Sequence, residues 1–124
     1  MATDICIASQ SPLVEIVART DVVDVPFMMR LIDRIAEAVA GAQRRRVLLE
    51  VIAPACRVSI LDRVDIWNHA VQCKLFPVKI AHVITGRPIG IEERFKEDFA
   101  TNRGIMVRTF AERAPARCWL EAGG

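Results

Sequence analysis

Aromatic side chains are scarce in this sequence of 124 residues, which contains five Phe, two Trp and no Tyr. Proteins that bind single-stranded nucleic acid stack bases on several well-spaced rings. Nucleic-acid binding also needs a concentrated basic face, and the net charge here is only +2. The composition therefore argues against a nucleic-acid partner.

Long apolar runs are missing too. Charged residues interrupt each apolar stretch before it reaches the ~18 residues of a membrane helix. Residues 1–4 lack the basic segment and the apolar core of a signal peptide. We therefore expect a cytoplasmic protein without a membrane span. The mean hydropathy of +0.27 is high for so small a chain and favours apolar surface hidden by self-association, as in a homodimer, or by a ligand.

Paired cysteines and closely spaced histidines are also absent. The four cysteines form no C-x-x-C pair, and in a reducing cytosol we expect them to be free thiols in the core. The two histidines, His69 and His82, are 13 positions apart. Because a metal site needs several ligands at fixed spacing, we expect His69 at the surface and neither a metal nor a cofactor.

The sequence does contain an alternation of sheet-like and helix-like apolar spacing. Strands are predicted at residues 5–8, 13–19, 46–52, 78–84 and 105–110. Helices are predicted between a cap at Asp24 and a stop at Gly41, over residues 59–75 and 92–102, and from Pro115 onward. Strands joined through helices pair in parallel by right-handed crossovers. We therefore predict one α/β domain over residues 1–124, with an N-terminal hairpin, a mixed, mostly parallel sheet of about five strands and about four helices.

Apolar stripes on these helices are predicted to face the core, because they recur at helical spacing. They are Phe27, Leu31, Ile35 and Val39 on the first helix, Ile60, Val64, Trp67 and Val71 on the second, and Phe95 and Phe99 on the third. The same residue types also line sites for small apolar ligands, so the stripes are compatible with a filled core and with a lipid-sized cavity.

The last third of the chain carries a family resemblance. Residues 79–83 (KIAHV), 99–110 (FATNRGIMVRTF) and 118–120 (CWL) are similar to the closing strands and helices of bacterial SpoIIAA-like proteins, the STAS and SEC14-like single-domain group. The order of elements along nearly the whole chain also resembles the STAS domain. The resemblance implies a SpoIIAA-like (STAS) fold and a non-enzymatic, regulatory role that works through a partner protein.

The same resemblance makes Ser59 a candidate phosphorylation site. In the anti-sigma-factor antagonists of that family, a partner kinase phosphorylates a serine in an Asp-Ser-Ser-Gly turn before the second helix. The corresponding residues here are 55–60 (ACRVSI), with Ser59 at the matching place. The acidic residue, the second serine and the glycine of the turn are missing.

Cys56 is the residue with the most reactive chemistry in this arrangement. It follows a predicted strand and precedes a helix, so we expect it at the carboxyl edge of the sheet, where ligand sites of α/β proteins form. A helix N-terminus and Arg57 favour a thiolate there, and His82 on the next strand is a candidate base. The alternative is a small structural cysteine and a hydrogen-bonded core histidine.

Contacts with a ligand or partner are predicted for Arg57, Trp67 and Arg87. Arg87 lies in a glycine-rich segment, residues 86–90 (GRPIG), that lacks the P-loop pattern and is expected to form a plain turn. We expect a non-enzymatic STAS-like binding module, because no catalytic constellation stands out. A carrier of a small apolar ligand between helices and sheet is the first alternative, and a thiol enzyme using Cys56 and His82 is the second.

Overall fold

A five-stranded sheet forms the centre of the computed structural model, which describes residues 4–10, 13–40, 46–73, 78–90, 97 and 105–122. The strands are β1 (Asp4–Gln10), β2 (Leu13–Arg19), β3 (Val22–Val23), β4 (Arg46–Ile52), β5 (Ala55–Cys56), β6 (Val78–Thr85) and β7 (Ile105–Phe110). The central sheet has the order β1-β2-β4-β6-β7, and β3 pairs with β5 in a separate two-stranded sheet.

The strand pairing confirms the predicted mixed sheet. β1 and β2 form an antiparallel hairpin with a register from Asp4↔Arg19 to Gln10↔Leu13. β2 pairs with β4, β4 with β6 and β6 with β7, all in parallel. Most side chains of β4 and β6 are buried, as expected for strands covered on both faces. The β3–β5 pair was not predicted, because two-residue strands give no periodic signal.

Three helices lie in the described part of the chain: α1 (Val25–Val39), α2 (Ile60–Gln72) and α3 (Arg113–Glu121). α1 begins where predicted, because the Asp24 carboxylate accepts a hydrogen bond from the Phe27 amide at 2.9 Å. α3 begins two residues before the predicted start at Pro115. The helix predicted over residues 92–102, with its stripe of Phe95 and Phe99, lies outside the described residues apart from Glu97. The described helices therefore number three, against about four predicted.

The described helices are short. The longest, α1, has 15 residues, whereas a membrane-spanning helix needs ~20. No described helix is long and apolar enough to cross a membrane.

Helices cover both faces of the sheet. α1 and α2 pack on one face over a large apolar cluster, and α3 packs on the other face over a small one. Leu49 belongs to the large cluster and its neighbour Leu48 to the small one, since successive side chains of a strand point to opposite faces. The buried members of the small cluster are Leu48, Ala81, Val83, Ala116 and Leu120. The sheet thus lies between two unequal cores.

The buried face of α1 is the predicted stripe, whereas that of α2 is displaced. The four predicted residues of α1 are all buried: Phe27, Leu31, Ile35 and Val39. The buried residues of α2 are Arg63, Ile66, Trp67 and Ala70. Ile60 was wrongly predicted to face the core, and it is 48% exposed. Apolar side chains lie on several sides of α2, so their spacing alone did not single out one face.

Ion pairs supplement the small core under α3. Nη1 of Arg113 lies 2.8 Å from Oε1 of Glu50, and Nη2 lies 3.6 Å from Oε1 of Glu15. Arg117, one turn later, also contacts the Glu15 carboxylate. The second Glu50 oxygen accepts a hydrogen bond from the Thr85 hydroxyl at 2.9 Å. These contacts tie α3 to three neighbouring strands.

Lys79 of β6 fixes the other end of α3. Its Nζ donates to the carbonyl oxygens of Trp119 at 2.7 Å and Ala122 at 3.0 Å, and lies 4.5 Å from the centroid of the Trp119 ring. The last carbonyls of a helix lack partners within the helix, and Lys79 supplies one. Burial, and then the nearby charge of Arg46, lowers the pKa of the Lys79 amine.

The cysteines do not lie in the core, contrary to the expectation from composition. All four are free thiols, but Cys6 and Cys118 are exposed, and Cys56 and Cys73 are only partly buried. Cys56 ends β5 and Cys73 is the C-cap of α2. A count of cysteines does not reveal which of them lie at the ends of elements or on an exposed face.

Candidate functional site

The β3–β5 pair forms one rim of a cleft at the carboxyl edge of the sheet. β3 follows β2 and β5 follows β4, so each short strand lies beyond the end of a sheet strand. The Arg57 amide donates to the Val23 carbonyl at 2.7 Å, and Cys56 is paired with Val23 in the ladder. These contacts hold Cys56 at the sheet edge expected from the sequence.

The turn after β6 brings Arg87 to the same cleft. Gly86 has a φ of 96°, and a Cβ at this position would lie 3.1 Å from the Ala53 carbonyl oxygen. The Ala53 amide in turn donates to the Thr85 carbonyl at 3.0 Å. Only glycine allows the turn to run so close to the chain that follows β4. The segment forms the plain turn that the sequence predicted.

Four of the five residues predicted to act chemically or to contact a ligand line this cleft. They are Cys56, Trp67, His82 and Arg87. The other lining residues are Val23, Met28, Val51, Val58, Arg63 and Ile66. Arg57, the fifth predicted residue, is exposed and is not among the lining residues. The cleft has a free volume of about 20 Å³, counted as the space that the centre of a water molecule can reach. This is room for about one ordered water.

The lining of the cleft is cationic. Arg63 and Arg87 line it together with His82, and the described lining residues include no Asp or Glu. Arg63 is only 8% exposed and comes from the buried face of α2. A guanidinium group keeps its charge in proteins and presents N–H donors in a plane that matches a carboxylate. The described lining of the cleft thus contains two guanidinium groups. Sequence reasoning missed Arg63 because arginine is seldom buried, so its place beside the predicted stripe of α2 did not mark it as a core residue.

Exposed apolar side chains follow cleft-lining residues closely in the sequence. In the first turn of α2, Leu61 is 79% exposed and Ile60 is 48% exposed. The lining residue Val58 is only two positions before Ile60. Ile89 is exposed as well, two positions after the lining residue Arg87. Single exposed apolar residues are ordinary, but Ile60 is three positions before Arg63 and therefore lies on the same side of α2 as the cleft, whereas Leu61 lies on the opposite side.

Ser59 caps α2. Its hydroxyl oxygen accepts a hydrogen bond from the Asp62 amide at 3.1 Å, and the Asp62 carboxylate accepts one from the Ser59 amide at 3.0 Å. This reciprocal pair is a capping box, which satisfies two amides at the helix start. Ser59 thus has a structural role, and its phosphorylation stays a prediction.

A second, apolar space lies between α1 and the sheet. Its free volume, counted in the same way, is also about 20 Å³. Its lining residues are Met28, Leu31, Ile32, Ile35, Leu49, Trp67, Ile80, His82 and Val107. Each of the two spaces holds about one water, so neither accommodates a lipid chain. These two spaces therefore offer no site for an apolar-ligand carrier.

A separate group of polar side chains connects α1 to α2. Nε2 of His69 lies 2.7 Å from Oδ1 of Asp33. Sγ of Cys73 lies 3.5 Å from the same Asp33 oxygen and 3.6 Å from Nε2 of His69. Asp33 is exposed, and His69 and Cys73 are partly buried. The hydrogen bond from His69 lowers the pKa of Asp33, whereas burial, and then the hydrogen bond and charge of Asp33, raises the pKa of the Cys73 thiol.

This cluster was not predicted from the sequence, for which we expected no metal site. One signal was available: His69 and Cys73 are four positions apart on a helix and therefore share a face. The third residue could not be found from spacing, because Asp33 is 36 positions from His69 and meets it only when α1 packs against α2. The prediction that His69 lies near the surface agrees with its partial burial.

The strand order, the N-terminal hairpin and the flanking helices define an α/β module of the SpoIIAA-like (STAS) fold. Among solved structures, the chain is similar to an uncharacterised protein of the DUF3478 family with a SpoIIAA-like fold, from Shewanella loihica PV-4. The TM-score is 0.56 at 13% sequence identity, and the match covers 95% of this chain and 93% of the other. At this identity the similarity shows the fold alone. No family model and no curated protein matches the sequence.

Proposed function

We propose that this chain is a non-enzymatic binding module that recognises a partner protein at the cleft. The partner contributes an acidic group to the arginine-lined cleft and apolar side chains to the exposed first turn of α2. One observation carries the proposal: Ile60 is exposed on the same side of α2 as Arg63, three positions later, and Arg63 lines a cleft whose described lining includes two arginines.

The size of the cleft favours a protein over a free metabolite. Space for about one water accepts the tip of an acidic side chain, but it does not enclose a small molecule. The rest of the binding surface then has to lie outside the cleft, where Ile60 is exposed. A partner protein with an acidic side chain next to apolar ones would contact both the cleft and the exposed apolar residue beside it.

The residue types at the cleft also fit a protein interface. Trp and Arg are the residues most often found to dominate the binding energy of such interfaces, and Trp67, Arg63 and Arg87 all line the cleft. A paired arginine and carboxylate can form two parallel hydrogen bonds, which adds geometric selectivity to the charge attraction. Selective recognition of one partner is what a regulatory module requires.

The test compares two substitutions that place a charge at an exposed apolar position. Ile60→Asp changes the proposed surface, whereas Met106→Asp changes a residue on β7 that is 53% exposed and lines neither described space. Proteins captured by the immobilised wild-type chain are purified and titrated against both variants. We expect Kd to rise by at least about tenfold for Ile60→Asp and by less than about twofold for Met106→Asp. Added salt should weaken wild-type binding, because the anchor is ionic.

Two results would contradict the proposal. Equal Kd values for the two variants would remove the cleft and its surroundings as the contact surface. The wild-type chain could also form a dimer in sedimentation experiments that only Ile60→Asp abolishes. That result would identify a second copy of the chain as the occupant instead of an acidic partner.

A further inference from the structure

We propose that Asp33 on α1, together with His69 and Cys73 at the end of α2, forms a binding site for a thiophilic divalent cation, with Zn²⁺ as its preferred ion. The three side chains offer a carboxylate oxygen, an imidazole nitrogen and a sulfur atom, all within 4.8 Å of one another. This is the set of donor atoms that zinc uses in proteins. None of the three residues lines the cleft, so the metal site is separate from the proposed partner surface.

The distances between the donor atoms support a tetrahedral centre. With Zn–S of about 2.3 Å and Zn–N and Zn–O of about 2.0–2.2 Å, tetrahedral angles separate sulfur from nitrogen or oxygen by about 3.6 Å. The sulfur of Cys73 lies 3.6 Å from the His69 nitrogen and 3.5 Å from the Asp33 oxygen. The third side, 2.7 Å between nitrogen and oxygen, is shorter. It has to open by about 0.7 Å, which a small rotation of the exposed Asp33 side chain supplies.

The arrangement differs from that of a Cys-His-Asp catalytic triad. In a triad the acid holds one nitrogen of the histidine ring, and the nucleophile uses the other. Here the Asp33 oxygen and the Cys73 sulfur both approach Nε2 of His69. Neither the acid nor the thiol uses the second ring nitrogen, so the three side chains are not arranged to pass a proton through the ring. Three donor atoms around one point are the geometry of a cation site.

The helix holds two of the three ligands in position before a cation binds. His69 and Cys73 are one turn apart on α2, and the Cys73 amide donates to the His69 carbonyl at 3.0 Å. Asp33 comes from the facing helix, so a bound cation would connect α1 to α2. On binding, the Cys73 thiol becomes a thiolate and its proton passes to solvent. Because Asp33 is exposed, the fourth coordination position faces solvent and accepts a water.

Cobalt is a suitable probe, because Co²⁺ accepts the ligands and geometry of zinc and reports a bound thiolate by a charge-transfer absorption band. The full chain, freed of metal by a chelator and kept reduced by a non-thiol reductant, is titrated with Co²⁺ and then with Zn²⁺. We expect one Co²⁺ per chain, a thiolate band, and loss of that band when Zn²⁺ is added. Cys73→Ser should abolish the band, whereas Cys118→Ser, which removes an exposed thiol elsewhere, should retain it.

Asp33→Asn and His69→Gln separate cation binding from folding, because both change side chains that reach solvent. Each should weaken Zn²⁺ binding at least tenfold in competition with a chromophoric chelator, while the circular dichroism spectrum stays that of the wild type. Zn²⁺ should raise the Tm of the wild type but not that of Asp33→Asn. The proposal is overturned if the wild-type chain shows no thiolate band, or if the band survives Cys73→Ser or is lost in Cys118→Ser. It is also overturned if Asp33→Asn and His69→Gln both bind Zn²⁺ with the affinity of the wild type.

Discussion

Ser59 combines a structural role with a predicted regulatory one. A phosphate on its hydroxyl would lie at the N-terminus of α2, where the helix dipole favours negative charge. It would also lie beside the Asp62 carboxylate, which already accepts a hydrogen bond from the Ser59 amide at 3.0 Å. The capping box therefore explains a serine at this position without any modification.

The cap leads to a prediction about stability. Ser59→Ala removes the acceptor for the Asp62 amide and should lower the free energy of unfolding by ~1 kcal/mol. Ser59→Asn should lose less, because asparagine caps a helix about as well as serine. Urea denaturation followed by circular dichroism measures both values. Equal losses in the two variants would show that the cap hydrogen bond does not stabilise α2.

Cys56 and His82 line one cleft and allow a test of the thiol-enzyme alternative. In a chain whose other cysteines are replaced by serine, we expect iodoacetamide to alkylate Cys56 no faster than a free peptide thiol. The rate should not change in His82→Gln, because a structural cysteine has no base that activates it. Rapid alkylation that persists at mildly acidic pH and is lost in His82→Gln would instead support thiol chemistry at the cleft.

At the scale of elements, the sequence predicted α1 almost completely but only located α2. Asp24 defined the start of α1, and its apolar residues fall on one stripe, which is the buried face. On α2, Ile60 and Leu61 are exposed while Arg63 is buried. Which side of such a helix is buried depends on the shape of the sheet and of α1, and these are set by residues far away in the chain.

The attachment of α3 includes polar contacts as well as a small core, which leads to a further prediction. Lys79→Met keeps an unbranched side chain, shorter by one atom, but removes the donor to the carbonyls of Trp119 and Ala122. We expect a loss of about 1–2 kcal/mol in the free energy of unfolding, with faster amide hydrogen exchange in α3 and unchanged exchange in α1.

Arg19→Met serves as the control for Lys79→Met, since Arg19 is an exposed cation at the end of β2. It should change the free energy of unfolding by less than ~0.5 kcal/mol. Equal effects of Lys79→Met and Arg19→Met, or an increase in exchange spread over all helices, would contradict a local role of Lys79.

At the scale of the whole molecule, each face of the sheet carries one tryptophan. Trp67 belongs to the large cluster and Trp119 packs against the small one, and the chain contains no other Trp. Trp67→Phe and Trp119→Phe variants therefore report the two faces separately. Within each variant we expect the fluorescence and circular dichroism transitions in urea to coincide, because β4 contributes side chains to both clusters. A fluorescence transition of Trp119 that precedes the other signal would show that the α3 face unfolds on its own.

The candidate site was predictable to the extent that its residues lie at the ends of predicted strands. Cys56 and Arg87 follow strands, and the rule that parallel strands share a carboxyl edge brings them together. Arg63 depended on the rotation of α2 about its axis, and Asp33 on the packing of α1 against α2. Both depend on contacts between helices, which leave no local pattern in the sequence.

The parallel pairing of β2, β4, β6 and β7 has a consequence for the way the chain acquires its structure. Partners such as Val14↔Val47 and Ile80↔Val107 are far apart along the chain, whereas the β1–β2 hairpin is local. Large loops must close, at an entropic cost, before the distant pairs stabilise anything. We therefore expect refolding to take milliseconds to seconds instead of microseconds, with the hairpin as the earliest ordered part and the strands at the far edge joining last.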